Sequence, residues 1–268
     1  MTANQLTQAR SSVRIKSIAL PAEHGGWGFL LEPVVLGLML APSLAGFYLA
    51  LSGICLFLAR QPVTLVMLNR RRSSPRTALA KRFAALYVVV GTASLVAAFS
   101  FTQHSFFLPL LIAAPLAVMQ LAHDAAGRRR VLAAEFSGAI AIAAMAPAIA
   151  LSAGWSSRAS FALWLIIAAR SVPTIAYVRA CLARLHHRTV SPLPMLMAHG
   201  LALVAVTLLA HADLVPWLAV VAMMILLVRA AIGFAKAEAL TAKQLGLSEI
   251  AFGAVTVLAV FGGQAFGL

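Results

Sequence analysis

The 268-residue chain is 62% hydrophobic and only 10% charged, with a mean hydropathy of +0.94, whereas soluble domains carry about 25% charged residues. That balance excludes an ordinary soluble domain and predicts an integral membrane protein. The net charge of +14 has no soluble module to form a nucleic-acid-binding face, and basic residues retained in cytoplasmic loops account for it.

In chain order, a basic N-terminal tail to about residue 20 holds Arg10, Arg14 and Lys16. The apolar run that follows continues past signal-peptide length, so no cleaved signal is expected. Against the roughly 20 residues of a helical span, about nine apolar segments are predicted. They cover Trp27–Ala41, Leu44–Leu68, Phe83–Ser100, Phe106–Ala122, Val131–Ser152, Ser160–Ala180, Pro194–Ala210, Leu214–Gly233 and Glu249–Leu268. No linker or composition shift divides them, so residues 1–268 are read as one all-α, polytopic transmembrane bundle.

Basic residues alternate between connections. They fill the tail, the second connection (Arg70, Arg71, Arg72, Arg76), the fourth (Arg128, Arg129, Arg130), the sixth (Arg184, Arg188) and the eighth (Lys236, Lys243). The odd connections carry almost none. The expectation is a bacterial inner-membrane protein with its N-terminus in the cytoplasm and its C-terminus outside.

Intramembrane polar groups are the candidate functional residues, because each is costly unless partnered or facing a wet cavity. Glu23 and His24 open the first span and Glu32 lies inside it. Glu23 has an alternative role complementing a helix dipole. Gly25, Gly26 and Gly28 allow close helix approach. Arg60 and Gln61, beside Pro62, fall near the cytoplasmic face of the second span, where Arg60 either snorkels to headgroups or lines a site. Arg170 lies about 15 Å along the sixth segment, near the bilayer midplane. It needs a counter-charge and is expected to pair with Glu32, with Glu135 or with a bound anion, and Tyr177 at i+7 shares its face. A purely structural ion pair is the competing reading. His123 with Asp124 reads as a polar helix end, and Arg229, Gly233 and Lys236 share a face at the inner end of the eighth span. Cys55 and Cys181 form no pair, and His186 and His187 lack partner ligands at recognisable spacing, so no metal or cofactor is expected.

The stretches PAEHGGWGFLLEP, Arg60-Gln61-Pro62 and ARSVPTIAYVRACLARL resemble the YwiC-like family of bacterial membrane proteins. Nine spans with long cytoplasmic connections after the second and sixth more distantly resemble the UbiA superfamily of intramembrane prenyltransferases. That resemblance implies aspartate-rich motifs on those spans, holding magnesium and an isoprenoid diphosphate. Residues 60–72 and 179–192 contain no acidic residue, so magnesium-dependent transfer is not expected, and arginines can hold an anionic group directly.

The resulting expectation is a cytoplasm-facing cavity for an amphipathic anionic ligand, lipid or isoprenoid. Arg60, Gln61, Arg170, Tyr177, Glu135 and Glu23 are its binding residues, and Glu32 or His24 is the acid or base if it is catalytic. A divergent transferase, a small-molecule transporter and an assembly partner of another membrane complex are the alternatives.

Overall fold

A computed structural model describes residues 15–20, 24–69 and 74–268, apart from the side chains of Lys16 and His24. Among the described residues the secondary structure is helical, with no strand. After a short helical turn, Lys16–Ala19, the chain forms α1 (His24–Leu40), α2 (Leu44–Leu68), α3 (Pro75–Ser100), α4 (Phe107–Ala125) and α5 (Leu132–Ser152). There follow α6 (Ser157–Leu185), α7 (Leu193–His211), α8 (Trp217–Ala235) and α9 (Ala242–Phe266). The segments from α2 to α9 are eight helices long and apolar enough to cross a membrane. α1 is apolar, and its 17 described residues rise about 25 Å, at the short end of the range for a span.

Helix starts carry their own signals. Ser43, Ser74 and Ser156 accept hydrogen bonds from backbone N–H groups of the following first turns. Thr241 and Gln244 form a reciprocal capping box at the start of α9, satisfying two otherwise orphaned donors. These polar turns carry helices beyond the apolar runs. α3 begins at Pro75, not Phe83, and α9 at Ala242, not Glu249. Hydropathy alone sees only the apolar part. α5 is interrupted at Ala144, between Leu132–Ala143 and Met145–Ser152, and Pro147 has no N–H to offer the Ala143 carbonyl one turn back.

α5 and α6 are the most enclosed spans, and α3 and α4 the least. α9 packs against α1, α6 and α8, and α1 also reaches α6. One apolar cluster joins Leu36 to Ile166, Ile167, Met223 and Val260 across these helices. A second, around Leu30, Leu49, Phe57 and Ile149, seats α1 on α2 and α5. Outward-facing residues such as Val89, Leu111, Leu201 and Leu208 are exposed, as suits a bundle whose solvent is hydrocarbon.

Candidate functional site: a buried charge quartet beside a lateral groove

Arg170 is the 14th of the 29 residues of α6, about 20 Å from either end, and is 1% exposed. Its two carboxylate neighbours come from different helices. Nε lies 3.0 Å from Glu32 Oε2 on α1, and Nη2 donates to the Glu249 carbonyl on α9 at 2.6 Å and stands 3.9 Å from Glu249 Oε2. The Glu32 contact is a close ion pair without hydrogen-bond alignment: neither Glu32 carboxylate oxygen has a hydrogen-bond partner, and nor does Arg170 Nε. Gly253 of α9 makes room for that carboxylate, since a Cβ there would meet Glu32 Oε1 at 2.1 Å.

Glu249 is differently held. Arg229 of α8 donates to it twice, Nη1 to Oε1 at 2.7 Å and Nη2 to Oε2 at 3.0 Å, the planar fork that a guanidinium offers a carboxylate. The same guanidinium lies 4.1 Å from the Tyr177 ring centroid and 4.9 Å from that of Phe252, so it is stacked between aromatic faces. Tyr177 in turn presses its hydroxyl to Gly233 of α8, where a Cβ would fall 2.2 Å from the oxygen. Two glutamates and two arginines make the quartet formally neutral. This neutrality is what allows charge at such depth, because each ion is compensated by an opposite one.

Further polar atoms adjoin it. Ser171 and Thr174 on α6 have buried hydroxyls without partners, as does Arg229 Nε. His199 on α7 is 3% exposed and uses Nδ1 on the Met195 carbonyl, leaving Nε2 unpartnered. On the outer side, a groove of about 640 Å³ is walled by Val221, Met224, Ile225, Val228, Ile232 and Phe252 and reaches Arg229 and Gly233. Its size is that of a small-ligand pocket, and its wall residues other than Phe252 are among the exposed apolar side chains.

The remaining expected residues lie elsewhere. Arg60 is bound by Asp124 of α4, through Nε at 2.5 Å and Nη2 at 3.0 Å, and Asp124 is completely buried. Gln61 donates to the Ser17 carbonyl and accepts from Arg129. Glu135 takes Arg179 at 2.9 Å, on a partly exposed surface. Among the described residues, Glu32 and Arg170 are brought together, whereas Arg60 and Glu135 are paired with Asp124 and Arg179. Glu23 and the His24 side chain lie outside the described residues. Outside the spans, the Arg184 hydrogen bond and its charge hold the Glu238 carboxyl below the usual range. Among the described residues, no group of three or more His, Cys, Asp or Glu is placed to hold a metal.

Depth alone shows that Arg170 needs a counter-charge; of the two carboxylates expected for it, the structure supplies Glu32 and gives Glu135 to Arg179, and Glu249 was missed as its second partner. Reading α9 from its apolar run put Glu249 at the membrane surface. The capping box at Thr241 and Gln244 is the signal that starts the helix earlier and carries Glu249 two turns inside.

Residues 20–150 match the YwiC-like protein family. No curated protein and no solved structure matches the chain. The YwiC-like segment runs from α1 into α5 and includes Glu32, Arg60, Gln61, Asp124 and Glu135. Arg170, Arg229 and Glu249 all lie beyond it, so the quartet joins the YwiC-like segment to the rest of the bundle.

Proposed function

We propose that this multi-pass protein binds an amphipathic, lipid- or isoprenoid-like molecule taken laterally from the bilayer. The tail lies in the α8–α9 groove and the polar head reaches Arg229 and the Tyr177 hydroxyl. The observation that carries the reading is the junction of an apolar, outward-opening groove with a buried guanidinium. Arg229 is six residues from the end of α8 and Glu249 seven residues into α9, about 10 Å from the connection that holds Lys236 and Lys243. With basic connections in the cytoplasm of a bacterial inner membrane, the N-terminus is inside, the C-terminus outside, and the head sits just below the inner headgroups. Arg60, Gln61 and Glu135 act in this reading as ties between helix ends.

The test is binding of farnesyl phosphate to purified protein, compared with Val228→Trp. Val228 is 56% exposed on the groove wall, so the larger ring fills the groove without entering the core. At least a tenfold loss of affinity with unchanged thermal stability is expected, and undiminished binding would overturn the reading. A divergent UbiA-type transferase adds a proton-transfer role for Glu32, detectable as product formation lost in Glu32→Gln. The interruption of α5 at Ala144 favours transport as a second reading, since transporter sites use broken helices. Access of engineered cysteines near Ala144 from both membrane faces distinguishes it from one-sided binding.

A further inference from the structure

The neutrality of the quartet constrains what the proposed site can accept. A head bearing one negative charge, brought to Arg229, leaves the buried group of charges at minus one, and net charge at this depth is disfavoured. One proton taken from water restores neutrality without breaking any bond in the ligand. The choice of acceptor follows from the hydrogen bonds each carboxylate already makes.

Glu249 accepts two aligned hydrogen bonds from Arg229, and protonating it would forfeit them. Glu32 accepts none at either oxygen. Its close ion partner, Arg170, keeps the Glu249 carbonyl at 2.6 Å and the Glu249 carboxylate at 3.9 Å when Glu32 becomes neutral. His199 has an unpartnered Nε2, but it is 3% exposed and none of the ion pairs among the described residues includes it, so a proton there would bury a positive charge without a counter-ion.

The surroundings of Glu32 supply no other competitor among the described residues. Of the helices packed on α1, α6 presents Arg170 and α9 presents Glu249. On α2, Arg60 is turned to Asp124, Cys55 to Gly91 and Tyr48 to Phe101. On α5, Glu135 is turned to Arg179.

We infer that binding of an anionic head at Arg229 is coupled to the uptake of one proton by the Glu32 carboxylate. This rests on the groove reading and adds to it a site-specific proton linkage. An uncharged head requires no such uptake, so the two kinds of ligand differ in their dependence on pH.

The experiment uses the full chain in lipid nanodiscs and two probes of equal tail length, a long-chain alkyl sulfonate, whose charge is fixed across the range, and the corresponding alcohol. Sulfonate affinity is expected to fall by up to tenfold per pH unit on the alkaline side, the slope of one linked proton, while alcohol affinity stays flat. In Glu32→Gln, whose side chain is neutral at every pH, sulfonate binding should become flat at the wild-type acid-side affinity. Should that variant fail to fold, calorimetry of the wild type in buffers of different ionisation enthalpy counts the proton directly. About one proton per sulfonate is expected there. Sulfonate binding that is independent of pH, proton uptake of zero, or a slope retained in a folded Glu32→Gln overturns the coupling while leaving the groove reading intact. Failure of both probes to bind, or binding untouched by Val228→Trp, overturns the groove reading and the coupling with it.

Discussion

Replacing Glu249 tests whether the quartet is an interlocked unit. Glu249→Leu removes the acceptor of both Arg229 hydrogen bonds, at 2.7 and 3.0 Å, and changes the quartet from neutral to one net positive charge. Arg170 keeps Glu32 at 3.0 Å and the unaltered backbone carbonyl of residue 249, so the stranded charge is that of Arg229. Removing one partner of a buried pair costs about 3–5 kcal/mol. Adding Arg229→Met restores neutrality and leaves an apolar side chain between Tyr177 and Phe252, and replacement of a whole buried pair by apolar groups is close to neutral in stability. The double variant should therefore lie within about 1 kcal/mol of wild type, recovering about 2–4 kcal/mol of what Glu249→Leu alone loses. Reversible unfolding in mixed micelles measures wild type and both variants. Additive losses, with the double variant less stable than Glu249→Leu, would refute the idea that charge balance holds these helices in place.

Gly253→Ala places a methyl group 2.1 Å from Glu32 Oε1 and should cost about 1–3 kcal/mol by displacing the carboxylate from Arg170. Gly262→Ala, on the same helix with nothing within 4 Å, should gain about 0.5–1 kcal/mol in the same unfolding assay. Arg60→Ala strands the wholly buried Asp124, with a loss of about 3 kcal/mol, and Asp124→Asn added to it should recover most of that loss. Glu238, held below the usual carboxyl range by Arg184, stabilises the fold above its unfolded value, and that contribution disappears as pH falls through its lowered folded value. The difference in thermal midpoint between wild type and Glu238→Gln should accordingly close at the acid end of a pH series.

The bundle was largely legible in the chain because hydrocarbon solvent imposes long apolar runs, and eight of them became helices of spanning length. The limits of those runs were less legible. Ser74 and the Thr241–Gln244 box start helices in polar sequence, which an apolar window discards. The same error hid part of the site, for it left Glu249 at a surface where no partner was needed. Arg170 could be read because its central position admits no snorkelling. Arg60 was ambiguous at its shallower depth, and its burial partner, Asp124, looked like an ordinary polar helix end beside Gly127. The angular relation of α8 to α9 has no local sequence signal, so neither the groove nor the Arg229–Glu249 fork could be derived from spacing.

Helices in a bilayer lack a hydrophobic drive toward one another, and packing and polar contacts decide their arrangement. The ion pairs divide accordingly. Arg60–Asp124, Arg179–Glu135 and Arg184–Glu238 each join two elements, so each pair is balanced by itself. The quartet joins α1, α6, α8 and α9 and is balanced as a set: withdrawing any one of these helices leaves an unmatched charge in the bilayer interior. Glu32 belongs to the YwiC-like segment and its counter-charge, Arg170, to the part outside it. The two parts therefore form one electrostatic unit, in which the charge of Glu32 ties α1 to the helices beyond the YwiC-like segment.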